Sequence, residues 1–207
     1  DYRVPFEELP PATRELWEYH PDKAKQLLAA AGYPKGFKTN VICEARASYI
    51  DLLSIVKDYW AKIGVDLEID AREFGVYSSI YTAKGHTQMM HRFNTIYQPW
   101  KFPPYRPGTG TNLCMINDER INKAYAAQAE AEAKGDFAGQ ARVVKEIFPY
   151  IMEQAWCIQT PVPYYFNVWW PWVKGYNGEL SPGHNNSYYF AAYLWIDENL
   201  KKEMVGR

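Results

Sequence analysis

The chain has 207 residues, of which 47% are apolar and 23% charged, enough for one sizeable core and close to the usual make-up of a globular domain. Its formal net charge is −1 and it carries no basic block, which speaks against nucleic acid or an anionic membrane surface as partner. No apolar run is long enough to span a bilayer, and no leader-type segment is present. The chain begins at Asp1 without a Met and is expected to be a processed or truncated piece.

Residues 1–19 are rich in proline, lack periodicity and predict an irregular lead-in. Residues 22–31 (DKAKQLLAAA) predict a helix, with Asp22 in its first turn and Gly32 as its stop. Pro34 and Gly36 then enforce a turn, and 37–44 (FKTNVICE) reads as a strand. Over 48–63, Tyr49, Leu52, Leu53, Val56, Trp60 and Ile63 recur at helical spacing, with Ser48 as N-cap and Gly64 as stop. Residues 65–71 (VDLEIDA) alternate apolar and polar, as a half-buried strand does. The three elements make a βαβ unit, for which a right-handed crossover is expected. A shorter helix over 74–84 and a strand near 87–93 extend it to β-α-β-α-β, an α/β layer with its loops at one edge.

Residues 94–117 break the pattern with Pro99, Pro103, Pro104, Pro107, Gly108 and Gly110 among aromatic residues, and long ordered loops of this kind are often functional. Two helices are predicted at about 118–134 and 136–154, the second kinked or split by Pro149. Strand-like segments follow at 156–160 and 162–169. The tail over 171–207 reads as loop-rich and ends in a short charged helix.

Motifs for chemistry are sparse. There is no glycine-rich phosphate loop, and Gly108-Thr109-Gly110 is too short to count as one. His20, His86, His91 and His184 fit no zinc spacing, and no metal or cofactor is expected. Cys43, Cys114 and Cys157 are odd in number and lack a CxxC spacing, so they read as buried small hydrophobes without a disulfide scaffold. Residues 94–117 contain no acid, which speaks against glycosidase or metal-hydrolase chemistry there, and no catalytic residue is assigned. The 17 Tyr, 9 Phe and 8 Trp leave two readings open, rings that fill a core and rings that line a pocket.

The order of these elements resembles the family 5 extracellular solute-binding proteins that serve oligopeptide, dipeptide and nickel ABC importers. Residues 20–37 (HPDKAKQLLAAAGYPKGF) are similar to a family signature through Asp22, Ala24, Leu27, Leu28, Ala31, Gly32, Tyr33, Pro34, Gly36 and Phe37. WAKIGVDLEI (60–69), Gly110-Thr111-Asn112, Asn117-Asp118-Glu119, residues 136–163 and Pro171-Trp172-Val173-Lys174-Gly175-Tyr176 resemble later family elements in the same order.

The resemblance implies an α/β fold, a periplasmic-binding-protein-like (type II) lobe with a mixed sheet flanked by helices. It implies a second lobe over 20–160, with 161–207 returning to a first lobe that this chain does not supply. It further implies a non-enzymatic, periplasmic or extracellular protein that closes by a hinge on a small polar solute and docks on a membrane permease. A sensor or enzyme domain reusing the fold is the alternative.

The resemblance also points to a site. In peptide-binding members, an Asp in an Ala-Asp-Tyr-Pro-Asp-Pro-like stretch after the third strand holds the ligand amine. Here that stretch is Arg92-Phe93-Asn94-Thr95-Ile96-Tyr97-Gln98-Pro99-Trp100, without an acid. An unpaired buried ammonium is costly, so the expected solute is neutral or anionic. Two readings stand for Arg92, a bidentate partner for a ligand carboxylate or phosphate and an ion pair internal to the lobe. Tyr97 and Trp100 are expected to enclose apolar ligand surface, and Asn94, Gln98 and Asn112 to offer orienting hydrogen bonds.

Overall fold

A computed structural model describes residues 2, 4–92, 105–160, 168–178 and 188–206. The chain divides into two compact units, 1–158 and 159–207.

The first unit opens with a 3-10 turn at Phe6–Glu8 and a short helix α1 (Pro11–Glu15), so the proline-rich lead-in is more ordered than its sequence suggests. Pro11 occupies the first helical position, where a missing N–H costs nothing. Thr13 of α1 is fully buried and donates its hydroxyl to Glu153 Oε1 at 2.7 Å, which fastens the lead-in to a distant helix.

Next come α2 (Pro21–Ala30), β1 (Phe37–Glu44), α3 (Ala47–Ala61), β2 (Val65–Arg72), α4 (Phe74–Ala83) and β3 (Met89–Met90). The strands form a parallel sheet in the order β2-β1-β3, with Phe37 opposite Val65 and Val41 opposite Met89. α3 lays Ile50, Leu53, Val56 and Trp60 on a sheet face made by Val41, Cys43, Leu67, Ile69 and Met89. That face is the alternate set of β1 and β2 residues, as period-two patterning requires.

Two expectations need correction in this region. Ser48 does not cap α3, because the helix starts a residue earlier and Arg46 holds the N-cap position without a side-chain hydrogen bond. The third strand is only Met89–Met90, short of the expected 87–93. The Gln88 side chain diverts the preceding residues, since its Oε1 accepts from Asn40 N at 2.6 Å and from Thr39 Oγ1 at 2.8 Å in place of backbone pairing.

The C-terminal part of this unit is a packed pair of helices, α5 (Glu119–Ala133) and α6 (Phe137–Glu153). Asp118 caps α5 by accepting from Ile121 N at 3.0 Å, and Asp136 caps α6 by accepting from Gly139 N at 2.8 Å. Pro149 does not split α6, which runs unbroken to Glu153. Ile121, Val144, Ile147 and Ile151 form a second core with Tyr105 and Ile116. Residues 156–160 are not a strand, because nothing among the described residues offers them a ladder.

In the second unit, β4 (Val173–Lys174) pairs antiparallel with β5 (Trp195–Ile196), and α7 (Glu198–Val205) follows with Asp197 as its cap. Trp170 and Trp172 stack with centroids 4.7 Å apart, and Trp172 is buried. Among the described residues no helix is long and apolar enough to cross a membrane.

Two glycines start the sheet. Gly36 and Gly64 immediately precede β1 and β2, both have positive φ (76° and 89°), and a Cβ on Gly36 would lie 1.8 Å from Gly64 O. Only glycine permits both the conformation and the approach. Gly36→Ala is expected to cost about 3 kcal/mol or more in a urea unfolding curve. Gly32→Ala, where φ is 93° but the space is open, is expected to cost only about 1 kcal/mol.

Candidate functional site

Parallel strands deliver their C-terminal ends to one edge, and crevices at that edge are the usual ligand sites of α/β sheets. Here β1 ends at Glu44, and β3 is followed by His91 and Arg92. A cleft of about 220 Å³ opens there, lined by Glu44, Tyr49, Phe74, Tyr77, Ser78, Tyr81 and Arg92. Most of its wall is α4, whose Phe74, Tyr77, Ser78 and Tyr81 lie at helical spacing on one face. Glu73 orients that helix, its carboxylate accepting from Gly75 N at 2.8 Å.

Arg92 is the chemically distinctive group. Its guanidinium carbon sits 4.4 Å from the centroid of the Tyr81 ring, a cation–π placement. Its Nη1 is buried and has no hydrogen-bond partner among the described residues. Glu44, the acid of the cleft wall, is already bound to Arg46, which donates from Nε at 2.6 Å. The one carboxylate in the described lining of the cleft is therefore already engaged by Arg46.

Backbone and rings hold this edge in shape. His91 N donates to Ile42 O at 2.8 Å, which extends the β1–β3 pairing by one step beyond Met90. Tyr77 donates its hydroxyl to His91 O at 2.9 Å, and the His91 ring packs against Tyr49 with centroids 4.8 Å apart. Burial, opposed in part by the Arg92 charge, pushes the Tyr77 phenol up to about 12, so it stays a proton donor.

The predicted site residues fare unequally. Arg92 lies in the cleft. Asn94, Tyr97, Gln98 and Trp100 lie outside the described residues. Asn112 is only 2% exposed, and its amide is engaged within its own loop. Its Nδ2 donates to Arg106 O at 2.9 Å and Ile116 O at 2.8 Å, and its Oδ1 accepts from Ile116 N at 3.0 Å. The observed bonds give it a bracing role. Glu44 and the α4 tyrosines escaped sequence reasoning, although the Phe74, Tyr77, Tyr81 spacing and the position of Glu44 at a strand end were both visible signals.

Residues 3–113 match the family of bacterial extracellular solute-binding proteins, family 5 Middle. The chain belongs to this family. Heme-binding protein A of Haemophilus influenzae is 44% identical to it over 24% of this chain and 10% of its own length. The glutathione-binding protein GsiB of Salmonella paratyphi A is 25% identical over 67% of this chain and 29% of its own length. The chain thus spans less than a third of either curated relative.

Among solved structures, Haemophilus influenzae OppA in complex with RPPGFSPFR matches with a TM-score of 0.63 at 20% identity, over 94% of this chain and 37% of that one. NikZ from Campylobacter jejuni in complex with Ni(L-His) matches with a TM-score of 0.57 at 16% identity, over 68% of this chain and 31% of that one. These likenesses show the fold, an α/β lobe of the type II periplasmic binding proteins with its parallel sheet flanked by helices. Family 5 members are binding proteins.

Burial lowers the His91 imidazole below its ordinary value of 6.5. The native ring then stays neutral at a pH where the unfolded chain already takes up a proton. Burial opposes protonation of the native ring, so stability is undiminished above about pH 6.5 and declines as pH falls from there through the lowered native value. Thermal melts across that range are expected to show a decline on acidification that is shallower in His91→Phe, which keeps the ring contact with Tyr49 but cannot titrate.

Proposed function

We propose that this chain is the second lobe of a family 5 solute-binding protein that captures a small, polar, peptide-like solute, neutral or anionic, and delivers it to an ABC permease. The cleft at the C-terminal edge of the sheet is its half of the binding site. The single observation that carries this reading is Arg92, held over Tyr81 with a buried Nη1 that has no partner among the described residues. A buried guanidinium nitrogen left unsatisfied is costly, and a ligand carboxylate with two coplanar oxygens removes that cost.

Arg92 therefore takes the role of ligand anchor. Tyr77, Tyr81 and Phe74 form the apolar wall against which the solute lies, and Ser78 offers a hydroxyl at its rim. Asn94, Tyr97, Gln98 and Trp100 follow Arg92 directly in the chain and complete the polar and aromatic contacts. The name of one relative, a glutathione-binding protein, supports a solute of peptide-like class. Membership of an extracellular family supports a periplasmic or extracellular setting. Membership of a family of solute-binding proteins supports binding without catalysis.

Closure of two lobes buries the ligand from both sides, so this lobe by itself is expected to bind weakly or not at all. The test is a thermal-shift screen of the full-length protein against acidic and neutral peptides, ordinary free-amine peptides, sugars, organic acids and metal chelates. A carboxylate-bearing, peptide-like solute is expected to raise the melting temperature. Arg92→Ala is expected to weaken that solute by about 1.5–3 kcal/mol, the usual worth of a charged hydrogen bond. Tight binding of ordinary free-amine peptides, indifferent to Arg92→Ala, would overturn the reading.

A further inference from the structure

The three cysteines are not alike. Cys43 is fully buried under α3, and burial raises its thiol above the ordinary range. Cys114 is exposed and Cys157 half-buried, which corrects the expectation that all three are core hydrophobes. Although separated by 43 residues, their sulfurs lie 3.4 Å apart.

The backbone on both sides of this contact is braced. Cys114 stands between Asn112, whose amide is tied into the loop, and Ile116, a core residue. Its Sγ also meets Trp156 O at 2.9 Å, and the Trp156 ring packs on Tyr105 and Tyr150 with centroids 6.3 and 5.9 Å away. Met115, beside Cys114, and Ala155, two residues before Cys157, both take left-handed backbone conformations (φ 51° and 49°). Residues with a Cβ adopt that conformation only where their surroundings enforce it. Two enforced turns thus present the two thiols to each other.

We propose that Cys114 and Cys157 form an intramolecular disulfide that pins the loop 105–117 to the C-terminal end of α6. The sulfurs need only close from 3.4 Å to a bond of about 2.05 Å. Cys114 is the attacking group, since a hydrogen bond from the Cys157 thiol lowers it to about 7.

The oxidant is a second disulfide, either a small molecule or a thiol–disulfide oxidoreductase. The Cys114 thiolate attacks one of its sulfurs and expels the other as a thiolate. Cys157 then gives up its proton and attacks Cys114 Sγ in the mixed disulfide, releasing the second external thiolate. Two protein thiols are oxidised and one external disulfide is reduced to two thiols. An extracellular setting supplies such oxidants. The ring encloses the whole α5–α6 pair, so its closure restricts the unfolded chain substantially.

The test equilibrates the 207-residue chain with oxidised glutathione, then alkylates free thiols under denaturing conditions and maps the peptides. The expected result is one linked peptide pair carrying Cys114 and Cys157, with Cys43 alkylated. Reduction is expected to lower the melting temperature of the oxidised chain by about 4–8 °C. Cys114→Ser/Cys157→Ser is expected to melt near the reduced wild type and to ignore reductant. In Cys157→Ser the remaining Cys114 is expected to end as a stable mixed disulfide with glutathione, which reports the attacking role without depending on stability. Full alkylation of both cysteines after equilibration, a glutathione adduct on each in the wild type, or a linkage through Cys43 would each overturn the proposal.

Discussion

Everything in the first unit is laid out from the contact between Gly36 and Gly64. The two residues face each other immediately before their strands, so their backbone approach sets Phe37 opposite Val65 and every later pair of the β1–β2 ladder. A slip of one residue in β2 against β1 would turn Leu67 and Ile69 away from α3 and put Glu68 and Asp70 in their place. Register also decides where the strands end. With β1 and β2 in phase, Glu44 and Arg72 finish side by side, and β3 brings Arg92 to the same edge. The glycines lie at the opposite end of the strands from the cleft, yet they determine which residues reach it.

At the cleft, the governing fact is a cation whose surroundings are aromatic rather than acidic. The face of Tyr81 stabilises the guanidinium and keeps it in place, but a ring supplies no acceptor for its N–H groups. The nearby acid, Glu44, is turned to Arg46. Tyr77 donates its hydroxyl proton to His91 O and is kept protonated by burial. The arrangement orients Arg92 while its buried Nη1 has no partner among the described residues. This is the physical content of the proposal that a ligand acceptor completes the site, and it separates Arg92 from Arg46, whose pairing is already made.

Much of the layout was legible in the sequence because local signals agree with tertiary ones. The strand at Phe37–Glu44, the start of β2 at Val65 and the stripe of α3 coincide with a period-two or helical pattern bounded by glycine. The failures occur where a side chain competes with the backbone or where pairing is non-local. Gln88 takes the Asn40 N–H that a longer third strand would have used, and no pattern over 87–93 announces that. The apolar run at 156–160 has strand-like composition, but a strand exists only with a neighbour.

At the candidate site, the place of Arg92 after the third strand is visible in the sequence, and the residue lines the cleft. Beyond their spacing, the tyrosines of α4 carry no separate signal in the sequence, because their placement depends on which face the sheet leaves open. Asn112 shows the converse. A polar residue in a Gly-rich loop invites a ligand reading, whereas its short side chain fits the turn it sits in and saturates the backbone around it.

Among the described residues the sheet core and the α5–α6 core are separate buried clusters, and the loop over 105–117 is bonded to both sides. From the sheet side, Lys84 donates to Thr109 O at 3.2 Å and His86 Nε2 to Leu113 O at 3.0 Å. From the helical side, Tyr105 and Ile116 are built into the α5–α6 core, and Cys114 meets Trp156 and Cys157. Lys84 and His86 sit on the connection that leads from α4 into β3, directly before Arg92 in the chain. The loop is thus tied to the segment that leads to the proposed ligand anchor, and the Asn112 bonds brace it from within. The bracing residues and the ligand-facing residues divide the labour along one stretch of chain, and the covalent tie proposed at Cys114 acts on the bracing half.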